Sequence, residues 1–361
     1  MPLSSFLYTD VNLDDLNVGD TITVVNGHEI CQKYIPRRNH SNSSTSGNKT
    51  RKKKAPIAPL FAEHADTEQL AYNLSAFKPG DEIEITLKMH GTSQRTGYLP
   101  VLKGYKRRSI WDWLKHKEGQ PIYEYGYISG TRRTVLENYD GGYYGSNEFR
   151  EEHSKFFEGK LWKGETVYYE VVGYTHTRVP IMASGATPKE YQKEYGKVME
   201  FSYGCDPNGR FYKDNLWYNN SEEKPQSAIY VYRMTMTNED GNVIEYSPYF
   251  MRYRCELMGV KTVPVMWKAE VPMYPATTDD DTVSPGEWVK SVAEQYYDGP
   301  DPIGKTHVRE GVVVRIINRP KFTAYKHKNF LFKVVEGIVK DTAEAPDLEE
   351  AQEVENESSE S

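Results

Sequence analysis

Cysteine is scarce in this chain, which has three cysteines among 361 residues, at Cys31, Cys205 and Cys255. Their odd number and wide spacing fit neither a disulfide framework nor a zinc site, and a reducing compartment is the natural setting for such a chain. No stretch approaches the ~20 consecutive apolar residues that a membrane span requires. The first residues also lack the basic and apolar regions of a signal peptide. We therefore expect a cytoplasmic protein without a membrane segment.

The charge of the chain is unevenly distributed. The net charge is −7, but residues 341–361 contain nine acidic residues and no Lys or Arg, so the rest of the chain has a small positive excess. This tail is polar and aperiodic, and we expect residues 337–361 to form an acidic disordered tail. Its role stays open between a solvating segment and a mimic of a polyanion.

Composition shifts divide the rest of the chain. Residues 1–36 contain two strand-like runs joined by Asn26-Gly27, a hairpin signal, and predict a small N-terminal β module that is part of an OB-like or an SH3-like element. Residues 37–54 combine Asn, Ser, Gly and Thr with two basic clusters, which indicates a basic flexible linker. Residues 55–336 then form the main domain.

The main domain has many short strand-like runs with few helices between them, which predicts an α+β fold with mostly antiparallel sheets. Thr67–Phe77 and the capped segment Ser284–Tyr297 are expected to be helices, and Ser227–Thr237 a strand. Gly311–Ile317 and Phe330–Val335 are expected to be the closing strands. The stretch Lys103–Lys117 is basic with interleaved aromatics, and Tyr105–Lys117 is expected to be helical in part. It suits contact with phosphates and bases, or it is a solvated helix face.

Several charged residues stand at strand ends in a pattern that suits attack on a nucleoside triphosphate. Lys88 closes an apolar strand and is followed by Gly91, which would let the backbone approach a phosphate closely. A lysine becomes a nucleophile when neighbouring cations and partial burial favour its neutral form. The other members are Glu170 as an acceptor for ribose hydroxyls, Glu310 as a ligand for a divalent metal, and Lys326 and Lys328, which point to one face of a strand and could clamp a phosphate.

The blocks around these residues resemble the motifs of the covalent nucleotidyltransferases. Lys88-Met-His-Gly91-Thr is similar to the nucleotidyl motif in the form found in nick-sealing phage RNA ligases. Leu87 and Ser93 depart from that pattern, because an acid and an asparagine are frequent at these positions. The later blocks that resemble family motifs are Ser129-Gly-Thr-Arg132-Arg133, Tyr169-Glu170-Val-Val-Gly173, Ile229-Tyr-Val-Tyr232, Glu310-Gly-Val-Val and Tyr325-Lys326-His-Lys328-Asn.

The resemblance implies a nucleotidyltransferase domain of the ATP-grasp-like ligase adenylation type. It implies that Lys88 receives AMP from ATP, that either Arg132 or Arg133 contacts phosphate, and that Tyr232 stacks on adenine. The cofactors implied are ATP and Mg²⁺, with Mn²⁺ as a substitute for Mg²⁺. The other nucleotide-binding residues are Gly91, Glu170, Lys326 and Lys328, and the metal ligand is Glu310.

The activity implied is that of an ATP-dependent RNA ligase. The enzyme would form lysyl-AMP, transfer AMP to an RNA 5′-phosphate and join that end to a 3′-OH, in substrates that include a nicked duplex. If the chain is viral, it would act in the host cytoplasm. About 28 residues follow Lys333, which leaves no room for the C-terminal OB domain of DNA ligases and capping enzymes. A DNA ligase, a guanylyltransferase and a non-catalytic nucleic-acid-binding relative stay as alternatives.

Overall fold

A computed structural model describes most of the main domain and short pieces before it. The described residues are 6, 9–12, 22, 24–29, 55–64, 67–107, 119–139, 144, 147–175, 181–182, 227–275, 282–303, 309–330 and 332.

Strands dominate these residues, and three α-helices have both ends within them. The strands are β1 (Val24–Val25), β2 (His28–Glu29), β3 (Glu68–Gln69), β4 (Glu82–Leu87), β5 (Thr92–Tyr105), β6 (Pro121–Gly130), β7 (Val135–Leu136), β8 (Glu165–Gly173), β9 (Ser227–Thr237), β10 (Val243–Glu245), β11 (Lys261–Thr262), β12 (Val265–Glu270), β13 (Gly311–Ile316) and β14 (Thr323–Lys328). The helices are α1 (Glu148–Phe156), α2 (Pro248–Met258) and α3 (Pro285–Glu294).

The larger sheet has seven strands in the order β10-β9-β8-β5-β6-β7, with β11 beside β9. All its pairs are antiparallel except β11 with β9. Every residue of the central strand β8 is buried, so both faces of this sheet are covered there. On one face Val167, Tyr169 and Val171 of β8 pack in a common core with Phe149 of α1 and Met251 of α2.

The smaller sheet has five strands in the order β12-β4-β13-β14-β3. On one of its faces Ile85 of β4 and Val314 of β13 pack against Val289 and Ala293 of α3 in a second core. Helix α3 starts at a capping box, in which the side chains of Ser284 and Glu287 each bond the backbone of the other residue. Together the two sheets confirm the predicted α+β class with mostly antiparallel pairing.

The opposite face of the smaller sheet is charged and meets the larger sheet. Glu84, Arg315 and Lys326 lie on this face and are all buried. Arg315 donates through Nη2 to Glu245 Oε1 at 3.0 Å, and Arg233 of β9 donates through Nε to Glu245 Oε2 at 2.9 Å. Because Glu245 lies on β10 and Arg315 on β13, this carboxylate links the two sheets.

Three predicted segments differ from the structure. The expected helix at Thr67–Phe77 is wrong, because Glu68–Gln69 pairs in parallel with Tyr325 and Lys326 of β14 and two 3₁₀ turns follow, at Leu70–Tyr72 and Leu74–Ala76. The expected strand at Phe330–Val335 is wrong at Phe330 and Phe332, which are helical, since the closing strand is β14. The third segment, Tyr105–Lys117, differs at its first residue, because Tyr105 ends β5, and its residues 108–117 lie outside the described residues.

The N-terminal hairpin is present where Asn26-Gly27 predicts it. β1 and β2 pair in antiparallel fashion across this turn, in which Asn26 has φ 51° and Gly27 φ 75°. Positive φ at both turn residues gives the twist that a two-residue hairpin needs. The rest of the predicted module, the linker at 37–54 and the tail at 337–361 lie outside the described residues, so the domain boundaries stay predictions. No helix among the described residues is long and apolar enough to cross a membrane.

The link between the sheets leads to a stability prediction. Glu245→Ala leaves Arg233 and Arg315 buried without this carboxylate, and we expect the free energy of unfolding to fall by about 3 kcal/mol or more. Urea unfolding measures the change. The matched control is Glu151→Ala, because Glu151 pairs with Lys155 on the exposed side of α1 and its loss should change stability little. Equal stability of the two variants would contradict the role given to Glu245.

Candidate active site

Strand register brings Lys88 to the start of β13. Leu87, the last residue of β4, lies opposite Val312, and the backbone N–H of Lys88 donates to the carbonyl of Gly311 at 3.0 Å. The side chain of Lys88 then extends beside the residue that precedes β13. Its Nζ lies 2.6 Å from Oε1 of Glu310, and its side chain is 15% exposed. The amine therefore stays within reach of solvent while its partner is buried.

Glu310 gathers three cationic or basic groups around one buried carboxylate. Besides Lys88, Lys328 places its Nζ 3.4 Å from Oε1, and His90 places Nδ1 3.3 Å from Oε2. Burial alone would raise the pKa of Glu310, but the charges of Lys88 and Lys328 and the bond to His90 hold that pKa well below its ordinary value of 4.5. The carboxylate is therefore ionised over the whole physiological range.

Two features of the backbone make this cluster possible. Lys328 reaches Glu310 because Gly311 lies opposite Lys328 in the β13–β14 pair, and the N–H of Asn329 donates to the carbonyl of Glu310 at 2.8 Å. Gly311 has φ 145°, and a Cβ at this position would lie 2.2 Å from the carbonyl oxygen of His327. No other residue fits between the two strands there without a shift of the backbone.

His90 is a member of the site that the sequence analysis did not select. Its Nε2 donates to the carbonyl of Met182 at 2.7 Å, and its ring meets Phe332 edge to face at a centroid distance of 4.9 Å. Held in this way, the ring presents Nδ1 to Glu310. The signal in the sequence is its position two residues after Lys88, in the same short block.

Glu170 adjoins the same block through Gly91. An ideal Cβ on Gly91 would lie 2.4 Å from the carbonyl oxygen of Val171 and 2.9 Å from Cγ of Glu170. The turn that follows Lys88 therefore packs directly against Glu170 and Val171 of β8. Glu170 is 8% exposed and lies opposite Ser93 of β5.

Tyr232 occupies a β-bulge. Arg233 lies opposite Tyr168 and Val231 opposite Tyr169, so Tyr232 is the extra residue of β9. Its hydroxyl lies 2.8 Å from Oγ of Ser93 and its half-buried ring packs beside the inter-sheet cluster of Leu87, Met89, Val172, Tyr230 and Val263. The ring of Tyr232 therefore lies near the cluster that contains Leu87 and Met89, the two neighbours of Lys88 in the chain. Ser93, which the sequence analysis noted only as a departure from a motif, fixes this ring.

The two candidate arginines differ in burial. Arg132 is 8% exposed, whereas Arg133 is exposed. Arg95 donates through its guanidinium to the carbonyls of both residues, which fixes the turn that they occupy. The N–H of His64 donates to the carbonyl of Arg132 at 3.2 Å. Burial, and then the charges of Arg233, Arg132 and other nearby arginines, hold the pKa of His64 well below its ordinary value of 6.5.

The predicted residues thus fall into two adjoining groups. Lys88, Glu310 and Lys328 are in direct contact, and Gly91 joins them to Glu170. Arg132 and Tyr232 form the second group, because both contact His64. The N–H of His64 donates to the carbonyl of Arg132, and the ring centroid of His64 is 5.0 Å from that of Tyr232. Lys326 is buried on the same strand face as Lys328, two residues away. Arg133 lies at the surface. The roles given to these residues stay predictions.

Glu310 is the predicted ligand of the divalent metal ion. Among the described residues no group of three or more His, Cys, Asp or Glu could hold a metal ion. Mg²⁺ does not need such a cage, because it binds one or two carboxylates together with phosphate oxygens and water. Glu310, with its buried and ionised carboxylate, fits a metal that arrives with a nucleotide.

Comparisons with known proteins give limited results. No family model and no curated protein matches the chain. An RNA ligase of Naegleria gruberi in its ligand-free form overlaps with 78% of this chain at a TM-score of 0.40 and 14% identity, and the overlap covers 63% of that chain. A form with AMP and manganese overlaps with 77% of this chain and 63% of that chain, at a TM-score of 0.41 and 13% identity. An overlap of this quality establishes neither a shared family nor a shared activity.

The close approach of Gly91 to β8 predicts that this position tolerates no side chain. In Gly91→Ala the new Cβ would overlap the carbonyl of Val171 and Cγ of Glu170, and we expect a loss of about 1–3 kcal/mol in the free energy of unfolding. Urea unfolding measures this loss. Gly126→Ala is the control, since its Cβ would meet no atom closer than 3.6 Å. If both variants are as stable as the unmodified protein, Gly91 does not approach Val171 and Glu170 as closely as described.

The pKa of Glu310 predicts an acid-dependent loss of stability. Since this pKa is lower in the folded than in the unfolded chain, the stabilisation is complete above the unfolded pKa near 4.5 and is lost as the pH falls through the folded value. In Glu310→Gln that contribution is absent, so the free energy of unfolding should depend less steeply on pH below about pH 4.5. Denaturant unfolding at a series of pH values measures the slope. Parallel profiles for the two proteins would show that Glu310 does not titrate as described.

Proposed function

We propose that this protein is an ATP-dependent RNA ligase that uses Lys88 as its nucleophile. The observation that supports it most directly is the cluster at three adjacent strand ends, where Nζ of Lys88 lies 2.6 Å from Oε1 of Glu310 and Nζ of Lys328 lies 3.4 Å from the same oxygen. A reactive amine, a carboxylate for a metal and a second cation for phosphate are the groups that nucleotidyl transfer to lysine requires.

The first step would join AMP to the protein. The lone pair of Nζ of Lys88 attacks the α-phosphorus of ATP, a P–N bond forms, and the bond to the bridging oxygen breaks with release of pyrophosphate. The contact with Glu310 favours the ammonium form of Lys88, so this carboxylate must turn away before the amine can attack. Lys328 then remains beside Lys88, and repulsion between the two cations favours loss of a proton from Lys88.

The remaining groups would bind the nucleotide. A divalent ion held by Glu310 and phosphate oxygens would neutralise part of the triphosphate charge when bound. Glu170 would accept hydrogen bonds from the ribose, and Tyr232, fixed by Ser93, would stack on adenine. Lys326 and Lys328 would contact phosphate from one strand face. Of the two arginines, the buried Arg132 is the better candidate for a phosphate contact.

The later steps would seal an RNA end. AMP passes from Lys88 to an RNA 5′-phosphate with cleavage of the P–N bond, and a 3′-OH then attacks that phosphate and expels AMP. RNA is chosen over DNA because Lys88-Met-His-Gly91-Thr resembles the motif of nick-sealing RNA ligases. We also propose residues 55–336 as the adenylation domain and residues 1–36 as a separate β module.

Covalent labelling tests this function. With ATP labelled on the α-phosphate, the unmodified protein should retain one acid-labile label, and Lys88→Ala should retain none. Lys155→Ala is the control because that lysine lies exposed on α1, away from the cluster. Glu310→Ala should lose most of the label, by about a hundredfold or more in rate if one main electrostatic contact is removed.

Labelling with GTP in place of ATP tests the choice of nucleotide, and sealing of RNA and DNA nicks tests the choice of strand. Label from GTP but not from ATP would indicate a guanylyltransferase, and sealing of a DNA nick alone would indicate a DNA ligase. A label that survives in Lys88→Ala, or no label with either nucleotide, would end the proposal.

A further inference from the structure

The β5–β6 hairpin extends well beyond the sheet to which it belongs. β5 is 14 residues long, but β8 pairs only with its first part, from Thr92 to Gly97. Beyond Gly97, β5 pairs with β6 and with no other strand among the described residues. The pairing continues past the end of β5, where the N–H of Lys106 donates to the carbonyl of Gln120 at 2.8 Å. We name residues 98–107 and 120–127 the hairpin arm. A two-stranded ribbon buries little surface by itself and needs support from elsewhere.

One side of the hairpin arm is supported by the segment that precedes the main domain's first strand. The N–H of Leu102 donates to the carbonyl of Ile57 at 2.7 Å, and the hydroxyl of Tyr123 donates to the carbonyl of Pro56 at 2.9 Å. Leu99 packs in a small core with Phe61. The hairpin arm is therefore a braced projection rather than a loose loop.

Another side of the hairpin arm presents tyrosine rings. Tyr98 and Tyr127 stack at a centroid distance of 4.7 Å and an angle of 20°, and Tyr125 lies 5.7 Å from Tyr98. All three side chains are half-buried. The ammonium group of Lys163, which is exposed, lies 5.1 Å from the centre of the Tyr125 ring. Tyr98 and Tyr127 also pack against the core of the larger sheet, and the hydroxyl of Tyr127 accepts from the N–H of Gly159 at 2.6 Å, so these rings support the hairpin arm from this side.

The outer end of the hairpin arm has an excess of positive charge. Lys103, Lys106 and Arg107 are all exposed, and the arm contains one acid, Glu124. Within the described part of the chain no carboxylate lies within ion-pair distance of these three cations. By contrast, the exposed Lys155 on α1 and the half-buried Lys290 on α3 each have a glutamate four residues away as a partner. A chain with a net charge of −7 thus keeps a local positive surface on this projection.

We propose that the hairpin arm binds the phosphate backbone of the RNA strand at a distance from the end that reacts. This inference rests on the proposed function for the identity of the strand. β5 begins four residues after Lys88, and Lys103 lies eleven residues farther along, which places the cations roughly 35 Å from the turn at the amine. Exposed cations that have no carboxylate partner among the described residues favour a polyanion over an apolar protein surface as the occupant.

Binding of labelled single-stranded RNA of about 20 nucleotides, measured by fluorescence anisotropy over a range of salt concentrations, tests the proposal. The test variant changes Lys103, Lys106 and Arg107 to Ser. Each phosphate contact contributes about 0.7 to the slope of log affinity against log salt, so the slope should fall by about 2. At ~0.1 M salt the affinity should fall by about fivefold for one lost contact and about a hundredfold for three.

The matched control removes the same amount of charge elsewhere. In this variant Lys155 and Lys321, which are exposed, and Lys290, which is half-buried, are changed to Ser, and its salt slope should equal that of the unmodified protein. If the arm variant keeps the slope and affinity of the unmodified protein for the long RNA, the proposal is wrong.

Covalent labelling with ATP separates this proposal from the proposed function. The arm variant should take the label as fast as the unmodified protein, because the arm does not touch the cluster around Lys88. An unmodified protein that takes no label but loses RNA affinity in the arm variant would refute the ligase and support the arm. An unmodified protein that takes the label and whose arm variant binds and seals long RNA normally would refute the arm alone.

Discussion

One buried carboxylate holds the candidate site together. Glu310 is 3% exposed and contacts Lys88, Lys328 and His90, which reach it from the ends of β4 and β14 and from the turn after β4. A buried anion needs cations near it, and buried cations need the anion, so removal of one of these side chains by mutation leaves the charge of the others unbalanced. The strand ends around Glu310 are therefore fixed by charge as well as by backbone hydrogen bonds. In the proposed reaction the contact between Lys88 and Glu310 would open, and Lys328 would remain as a cation beside the amine.

The two sheets beside the candidate site meet in part through charged side chains. Each sheet packs its apolar face against helices, which leaves Glu84, Arg315 and Arg233 between the sheets. Glu245 neutralises the two arginines, and Arg252 of α2 binds Glu84 through two hydrogen bonds of 3.0 and 2.8 Å. A charged inter-sheet layer costs stability compared with an apolar one, but it suits a polyanionic ligand such as a nucleotide.

Much of the fold follows from local patterns in the sequence. The strand Ser227–Thr237 and the capped helix that begins after Ser284 are predicted almost to the residue, because alternation and capping are local properties. The segment Thr67–Phe77 was predicted wrongly as a helix, since its apolar spacing fits a helix but pairing of Glu68 and Gln69 with β14 overrides that preference. The strand that carries Lys326 and Lys328 is present, but the further strand predicted at Phe330–Val335 is wrong at Phe330 and Phe332, which are helical.

The sequence by itself determined which residues are candidates for the site, because reactive side chains at strand ends and glycines beside them can be recognised locally. Only the tertiary structure decided which of them meet. The contact of Lys88 with Glu310 joins residues more than 200 positions apart, and it depends on the register of β4 with β13. The burial that distinguishes Arg132 from Arg133 and the hydrogen bond from Ser93 to Tyr232 likewise depend on strand pairing. Register is set by the packing of whole sheets, which no short motif contains.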